Sequence, residues 1–300
     1  MQVCAPQFGS GYDSMAPRRS SRRPSLDRAA GLAYRPCAVT STTTGRLRAG
    51  HLDAVHASMS CTMASSVRIV TYNFLKGGGP PRNAWRLLAQ LQPDIILGQE
   101  CRPGPGNPYA ACLWAEANTG HWGTGLFQRR KTIRPIAIPG FEGWVTGGEL
   151  RRSAWLTSRP LLIFSIHCPT RKQSYLRTMH DILDAIAPSA AGADLVLGGD
   201  FNVAAGVRVS GDRVPFSNGE RLLLERLAQE FELMPCWQTM HPNLPLAQTL
   251  RWTRDRSTPY HCDGIFAPRS WRSRLVRCEV IAGPEWDALS DHNPVVADFE

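Results

Sequence analysis

Short apolar runs that end in polar residues constrain the fold of this chain more than any other feature. Runs of roughly 4 to 8 apolar residues bounded by polar or turn residues are typical of buried β-strands. Four such runs lead into polar residues, namely Val67 to Tyr72 into Asn73, Ile95 to Gln99 into Glu100, Leu161 to Ile166 into His167, and Leu195 to Gly199 into Asp200. Because helical patterns alternate with these runs, we predict an α/β domain with polar side chains gathered at its strand ends.

The predicted elements follow hydrophobic periodicity along the chain. Strands are predicted at Val67 to Asn73, Ile95 to Leu97, Ser153 to Thr157, Leu161 to Ile166, Leu195 to Gly198, Leu250 to Thr253 and Val295 to Phe299. Helices are predicted at Asn83 to Leu91, after the capping residue Ser174, and through Leu223, Leu227 and Phe231. No repeat of about 20 to 50 residues is evident, which disfavours a solenoid or a propeller.

The chain of 300 residues is predicted to divide into an extension and one domain. Residues 1 to 66 are rich in Ser, Thr and Arg and lack apolar periodicity, so we predict a disordered basic extension before a domain over residues 67 to 300. This composition is also that of an organelle targeting segment. Alternatively, translation starts at Met59 or Met63 and the upstream residues are not made.

Charge and cysteine content limit the classes of protein. The net charge is +9, but the first 62 residues hold 8 Arg and 3 Asp, so the remainder is only mildly basic. That charge is compatible with a polyanionic substrate without proving one. The nine cysteines form no C-x-x-C pair, which argues against a zinc site or a disulfide framework and favours a cytoplasmic location. No apolar run approaches the roughly 18 residues of a membrane-spanning helix, so no integral membrane association is expected.

The polar residues at the strand ends form a chemically coherent set. Two further clusters near the C-terminus, His261 to Phe266 and Ser290 to Pro294, add aspartate and histidine. Carboxylate and amide oxygens are the ligands that Mg²⁺ prefers, and a histidine paired with an aspartate can act as general base on water. Together they indicate metal-dependent hydrolysis of a phosphoester.

Each of these residues also has an ordinary structural interpretation when it is taken alone. Asn73 can be a turn residue, Glu100 an exposed strand terminus, and Asp200 part of a Gly-Gly-Asp turn. His292 can be an inert histidine in a loop before the last strand. The joint occurrence of all of them in this order is poorly explained in that way.

The ordered motifs resemble those of the endonuclease/exonuclease/phosphatase superfamily, which has the DNase-I-like fold. They are Thr71-Tyr72-Asn73-Phe74, Pro93 to Glu100, Ser165-Ile166-His167, Gly198 to Asn202, Cys262 to Phe266 and Ser290 to Val295. The resemblance spans residues 67 to 299. It implies a four-layer α/β sandwich, in which two packed mixed β-sheets are flanked by helices, and divalent-metal-dependent cleavage of a P–O bond.

The resemblance also implies a role for each matched residue. Glu100 would bind the metal with help from Asn73, and Asp291 would support a metal or its water. Asp200 and Asn202 would position the attacking water and the phosphate. His292 would be the general base, oriented by Asp263, and His167 would donate to a phosphate oxygen or assist the leaving group. The implied ion is Mg²⁺, with Mn²⁺ as an alternative.

Two departures bear on the type of enzyme. Abasic-site endonucleases carry an acidic residue where this chain has Leu75, and an aromatic residue often stands where it has Gly264. Both departures make an abasic-site repair role less expected, and His167 matches the branch that includes DNase-I-like nucleases, sphingomyelinases and deadenylases.

Basic residues near these motifs are candidates for substrate binding. Arg171 and Lys172 follow His167 and are predicted to bind phosphate, although a solvated loop is the ordinary alternative. An ordinary exposed hairpin is the favoured interpretation of three arginines near Trp252, namely Arg251, Arg254 and Arg256, with a nucleic-acid groove as the alternative.

Three functional hypotheses follow. The first is a nuclease-type phosphodiesterase, the second a lipid or small-molecule phosphoesterase with the same chemistry, and the third a non-catalytic binding domain that retains the fold. The third is disfavoured because every expected polar position is kept. We expect a phosphoester substrate, most plausibly nucleic acid, and a monomeric protein. Serine-hydrolase and P-loop motifs are absent from the sequence.

Overall fold

The computed structural model describes residues 66–77, 84–104, 107, 109, 111–118, 121–129, 133–150, 159–170, 173–209 and 212–300. The strands in these residues are β1 (Val67–Gly77), β2 (Ile95–Cys101), β3 (Ala111–Glu116), β4 (Gly123–Gln128), β5 (Ile133–Ile136), β6 (Val145–Leu150), β7 (Leu161–His167), β8 (Asp194–Asp200), β9 (Leu233–Pro235), β10 (Asp263–Pro268), β11 (Leu275–Val280) and β12 (Val295–Phe299). The helices are α1 (Ala84–Gln90), α2 (Tyr175–Ala190), α3 (Asn218–Gln229), α4 (Cys236–Met240) and α5 (Pro284–Asp287), with a 3-10 helix at Arg269–Arg274.

The strands form two mixed six-stranded sheets. The first has the order β11-β12-β1-β2-β4-β3 and the second β5-β6-β7-β8-β10-β9. Each sheet contains one parallel pair, β1 with β2 and β7 with β8. A parallel pair needs a long crossover connection. Helix α1 lies in the first connection and α2 in the second, so each sheet contains one β-α-β unit.

Three apolar clusters separate the layers of the molecule. Alternation along β1 sends Val67 and Ile69 into the cluster between the sheets, and Val70 and Tyr72 into the cluster under α1 and α5. On the far side of the second sheet, Phe164 and its neighbours pack against α2 and α3. The predicted four-layer sandwich of two β-sheets flanked by helices is therefore confirmed.

The amphipathic helices begin at capping residues. Ser174 accepts a hydrogen bond from the backbone N–H of Arg177 at the start of α2, as predicted. Ser217 and Glu220 form a reciprocal capping box at the start of α3. The sequence patterns predicted the cap of α2 at Ser174 but not the capping box of α3.

Most predicted strands are present, and one is wrong. The segment Leu250 to Thr253 forms only isolated bridges from Leu250 to Tyr260 and to His292. The backbone of this segment is hydrogen-bonded to two loops, those of Tyr260 and of Asp291, and not to the edge of a sheet. The predicted strand Ser153 to Thr157 and all but the last residue of the predicted extension over residues 1 to 66 lie outside the described residues.

Two further observations concern the described part of the chain. No helix in it is long and apolar enough to cross a membrane. Its cysteines are free thiols, at positions Cys101, Cys112, Cys168, Cys236, Cys262 and Cys278.

Candidate active site

Alternation within the strands directs four polar side chains into the space between the sheets. Residues two apart share one face of a strand. The interior core contains Ile69, Ile163, Val196 and Ile265. Steps of two from these residues lead to Asn73, His167, Asp200 and Asp263, all of which are buried. In the second sheet, Asp200 pairs with His167 on one side and with Asp263 on the other.

Asp200 is at the centre of this group. Its Oδ2 accepts a hydrogen bond of 3.1 Å from the Asn73 amide of the opposite sheet, and its Oδ1 accepts one of 3.0 Å from the Asn202 backbone N–H. Burial raises the pKa of the Asp200 carboxyl, the neighbouring Asp263 raises it further, and the two site histidines oppose the rise. The hydrogen bond from Asn73 in β1 to Asp200 in β8 connects the two sheets at the site.

Asp263 and His292 form a buried carboxylate–histidine pair. His292 Nδ1 lies 2.9 and 3.1 Å from the two carboxylate oxygens of Asp263, so this nitrogen carries the proton and donates it. His292 Nε2 is turned toward Asp200 Oδ2, at 3.8 Å. Burial lowers the pKa of His292, but the charges of Asp263 and Asp200 outweigh burial and raise it to about 10. The protonated imidazolium is therefore the favoured form at neutral pH while these charges are uncompensated.

His167 has the opposite electrostatic character. Its Nε2 lies 3.8 Å from Glu100 Oε1 and 3.8 Å from Asp200 Oδ2, and its Nδ1 is buried without a hydrogen-bond partner. Burial lowers the pKa of His167 to about 4, since the attraction of Asp200 only partly compensates and His292 repels. A neutral ring with its proton on Nε2 leaves only a lone pair unpartnered and presents an N–H to the site.

Glu100, the next-to-last residue of β2, has an unusual backbone conformation. Its φ of +45° lies in the left-handed region, next to a register shift between β2 and β4. Such strain in a non-glycine residue is characteristic of functional sites. Glu100 Oε2 accepts a hydrogen bond of 2.9 Å from the Lys76 backbone N–H, which leaves Oε1 on the His167 side.

The donor set fits a divalent cation. Asp291 Oδ1 is buried, has no hydrogen-bond partner, and lies 3.9 Å from His292 Nε2. An unpartnered buried carboxylate oxygen is costly unless a positive charge or a donor compensates it. Asn73 Oδ1 already accepts the Leu75 N–H, but an amide oxygen retains a second lone pair. The predicted metal ligands therefore have oxygens available, as a hard cation requires.

A second group of donor atoms lies beside this set. One ligand atom from each of Asp200, Cys262, Asp263 and His292 lies within 4.8 Å of the others. Cys262 was not predicted as a site residue, yet its thiol donates to Asp263 Oδ2 at 3.6 Å. Burial raises the pKa of this thiol well above its ordinary value, so it remains a protonated donor.

The side chain of Asn202 is engaged in the structure. Its amide donates to the Cys168 backbone carbonyl at 3.0 Å, and its φ of +52° is left-handed. The bond ties the loop after β8 to the loop after β7. The predicted role in positioning water and phosphate stays a prediction for Asn202.

Arg251 lies neither on an exposed hairpin, as the sequence favours, nor along a groove. Its side chain is buried and contacts the loop that contains His292. Its guanidinium donates to the Ser290 carbonyl at 2.7 Å and to the Asn293 side chain, and pairs with Asp287 Oδ1 at 3.2 Å. Its backbone N–H donates to the Asp291 carbonyl at 2.8 Å.

The other predicted basic residues differ in their surroundings. Arg254 and Arg256 are exposed, and Arg254 lies over the Trp252 ring at 5.5 Å. This geometry agrees with the exposed hairpin as well as with a groove. Arg171 and Lys172 lie outside the described residues.

Sequence reasoning missed a buried polar network under the site. Gln99 Nε2 donates to Ser165 Oγ at 3.0 Å across the two sheets, and Thr71 donates to Gln99 Oε1 at 3.2 Å. The signal was available, since Thr71, Gln99 and Ser165 lie at the interior-facing positions of their strands. The network fixes the spacing between the sheets one step below Glu100 and His167.

Solved structures with this fold include abasic-site enzymes. The chain aligns with an AP endonuclease from Archaeoglobus fulgidus at a TM-score of 0.60 and 19% identity, covering 78% of this chain and 99% of the other. It aligns with the AP endonuclease LMAP from Leishmania major at a TM-score of 0.61 and 16% identity, covering 83% and 92%. At these identities the similarity shows the fold alone.

Sequence comparison gives the family. No curated protein sequence matches the chain at a significant level. Residues 70–292 match the family model described as Endonuclease/Exonuclease/phosphatase family. The matched region runs from β1 to His292 and contains every candidate site residue that the structure describes. Together with the two-sheet fold, this match shows that the chain belongs to the Endonuclease/Exonuclease/phosphatase family.

Proposed function

We propose that this protein is a divalent-metal-dependent phosphodiesterase of the nuclease type, which cleaves P–O bonds by in-line attack of water. The observation that carries the proposal is the buried Asp263–His292 pair, with its free Nε2 directed at Asp200 where the two sheets meet. A histidine held in one tautomer beside a second carboxylate is an arrangement that activates water.

The proposed ion is Mg²⁺ or Mn²⁺, held by Glu100 with Asn73 and Asp291. When bound, it would act as a Lewis acid that neutralises charge on the phosphoryl oxygens. The unpartnered Asp291 Oδ1, and the Oε1 of Glu100 that faces His167 at 3.8 Å, support this assignment.

The chain's own residues supply the remaining functions. His292 Nε2 would accept the proton of the attacking water, and Asp263 would stabilise the imidazolium that forms. Asp200 and Asn202 would orient that water and the phosphate. His167, as a neutral donor, would give a hydrogen bond to a phosphoryl oxygen or to the leaving group. Positive charge bound beside the carboxylates would lower the pKa of His292 and so favour its base form.

Nucleic acid is the substrate class that we favour. The two similar structures are AP endonucleases, which supports a nucleic-acid substrate for this fold. Leu75 and Gly264 depart from the abasic-site pattern, so we propose a broader nuclease rather than an abasic-site enzyme. The alternative within the same chemistry is a lipid or small phosphoester, and a monomer in the cytoplasm is part of the same proposal.

The test uses the full chain with Mg²⁺, Mn²⁺ or EDTA. Substrates are single- and double-stranded DNA, RNA, a duplex with one abasic site, bis-p-nitrophenyl phosphate and phospholipid vesicles. We expect cleavage of nucleic acid that EDTA abolishes. Preferential cleavage of vesicles would favour the lipid alternative, and cleavage only at the abasic site would contradict the broader nuclease. No metal-dependent turnover of any substrate would contradict the proposal.

Three variants make this test specific. His292→Asn should lower kcat by at least about 100-fold, because the base is removed. Glu100→Gln should raise the Mg²⁺ concentration for half-maximal activity by about 10-fold or more. Glu225→Gln, an exposed carboxylate of α3 paired with Arg221, is the matched control and should resemble the wild type. Unchanged activity of either site variant would remove that residue from its role.

A further inference from the structure

Two tryptophans, Trp122 and Trp144, lie against the ring of His167. The ring centroids of Trp122 and His167 are 5.5 Å apart, those of Trp144 and His167 are 5.3 Å apart, and the two indoles meet edge-to-face at 5.5 Å. Neither tryptophan was singled out from the sequence. The three rings form an aromatic surface at the candidate active site.

Strand pairing explains why these side chains reach the site. Trp122 immediately precedes β4, whose first residue pairs with Cys101 directly after Glu100. Trp144 immediately precedes β6, whose first residue pairs with Ile166 directly before His167, and its carbonyl accepts the His167 N–H at 2.8 Å. One indole therefore comes from each sheet, and both lie at the end of the sheets that carries the catalytic groups.

The exposure of the pair differs from that of the core tryptophans. Trp85, Trp237, Trp271 and Trp286 are between 3% and 7% exposed. Trp122 and Trp144 are only half-buried, although each has the same apolar area to remove from water. Partly exposed indoles beside a catalytic histidine are suited to contact with a planar ligand.

We propose that Trp122 and Trp144 form a stacking surface for the nucleobase next to the scissile phosphate, so that the preferred substrate is single-stranded nucleic acid. The inference rests on the proposed phosphodiesterase function. Stacking on aromatic side chains accepts any base, because every base has a π-face. A base in a duplex is paired and already stacked on its neighbours, whereas an unpaired base can rotate away from its neighbours and stack on the indoles.

A choline headgroup is the other ligand that an aromatic surface can bind. The nucleobase is favoured because the surroundings do not suit a bilayer. The large apolar side chains exposed in the described part of the chain, Val207, Leu222, Leu244 and Val276, stand singly on separate elements. Membrane-binding surfaces need a continuous apolar face.

The kinetic test compares two labelled strands of equal length and charge. One carries ten thymines, and the other carries the same phosphates with every base replaced by hydrogen. For the wild type we expect kcat/KM to be between about 5-fold and 100-fold higher on the strand with bases. Trp122→Leu and Trp144→Leu should lower kcat/KM on the thymine strand by a larger factor than on the base-free strand, so that this preference is lost. Trp122→Phe and Trp144→Phe should keep most of the preference.

A binding test does not depend on turnover. In EDTA, the thymine strand should quench the tryptophan fluorescence of the wild type and of the Trp271→Phe control, which removes an indole from the opposite end of the sheets. It should quench Trp122→Leu much less, and the base-free strand should quench none of them.

The outcomes separate this inference from the proposed function. Equal cleavage of both strands by the wild type, or an equal loss on both strands in the leucine variants, would overturn the stacking surface and leave the phosphodiesterase intact. Cleavage of neither strand, together with no metal-dependent turnover of any other substrate, would overturn the proposed function, and base-dependent quenching would then still support the surface. Cleavage of duplex DNA but of neither single strand would overturn the single-strand preference and leave the phosphodiesterase intact. Preference for a phosphocholine ester over the thymine strand would overturn the nucleobase assignment.

Discussion

His167 and His292 flank the same oxygen of Asp200, each with Nε2 at 3.8 Å, yet their pKa values shift in opposite directions. The pKa values differ because the Nδ1 atoms of the two rings have different surroundings. His292 Nδ1 is bonded to the Asp263 carboxylate, whereas His167 Nδ1 is buried without a partner. One ring is therefore held at a pKa of about 10 and the other at about 4. Pairs of titratable groups with divergent pKa values are characteristic of acid–base sites.

Arg251 positions the loop of His292 from behind, and this gives a prediction at the scale of a single residue. Arg251→Met should lower the free energy of unfolding by about 2 to 4 kcal/mol, because the Ser290 carbonyl and the Asn293 amide lose a charged donor. It should also lower kcat by 10-fold or more, since the loop can then move. Urea unfolding and turnover of the same preparation measure both effects.

Arg254→Met is the matched control for Arg251→Met. Arg254 is exposed and lies over the Trp252 ring. The free energy of unfolding of Arg254→Met should therefore differ from that of the wild type by at most about 0.5 kcal/mol. If Arg251→Met lost stability but kept the wild-type kcat, Arg251 would be a structural residue without a positioning role.

At the scale of the elements, hydrophobic patterns predicted the strands that consist of continuous apolar runs and missed strands in which glycine or polar residues interrupt the apolar ones. Val295–Phe299 is found at its predicted bounds, and Leu161–His167 is one residue longer than predicted. The strand Val145–Leu150 was missed because it reads VTGGEL. Two of its residues are glycines, and packing against the rings and strands around it decides its conformation, which local periodicity does not reveal.

The pair Gly198-Gly199 was considered as part of a turn before Asp200, and that interpretation is wrong. Both residues lie within β8, where neighbouring groups approach too closely for a side chain. A Cβ on Gly199 would be 1.8 Å from the backbone oxygen of Ile166 on the paired strand β7. Glycine is required there by the spacing of the strands that carry His167 and Asp200.

Gly199→Ala should therefore separate β7 from β8 at the site. We expect the free energy of unfolding to fall by about 3 kcal/mol and turnover to fall with it, because the contact is with backbone that cannot rotate away. Gly104→Ala is the control, since a Cβ there meets nothing within 4 Å. Urea unfolding of both variants measures the difference, and equal midpoints would show that the two strands are not in this contact.

At the scale of the whole molecule, the order of polar clusters predicted which strand ends come together. It did not predict the hydrogen bonds and ring contacts that form between them. Polar residues after apolar runs pointed to Asn73, Glu100, His167 and Asp200. The C-terminal clusters supplied Asp263, Asp291 and His292, and the family resemblance supplied a predicted role for each residue. The bond from Asn73 to Asp200 across the sheets, the burial of Arg251 and the ring contacts of Trp122 and Trp144 depend on tertiary distances. Spacing along the sequence carries no information about them.

The last strand, β12, is an interior strand of the first sheet. β12 is buried throughout and lies between β11 and β1, where Val67 pairs with Phe299 and Arg68 forms an ion pair with Asp298 at 2.7 Å. Its residues Val295 and Phe299 belong to the core between the sheets. A chain that ends before β12 would expose this core and leave both neighbouring strands without their hydrogen-bond partners.

We therefore predict that removal of residues 295–300 abolishes cooperative unfolding, whereas removal of residues 1–62 changes the free energy of unfolding by at most about 1 kcal/mol. Removal of β12 takes away the apolar area that Val295 and Phe299 bury between the sheets, and this loss of burial destabilises the fold. Far-UV circular dichroism and urea unfolding of the two shortened chains measure this contrast. A cooperative transition in the chain without β12 would contradict its place in the sheet. A loss of several kcal/mol in the chain that starts at Met63 would show that the first 62 residues belong to the folded domain.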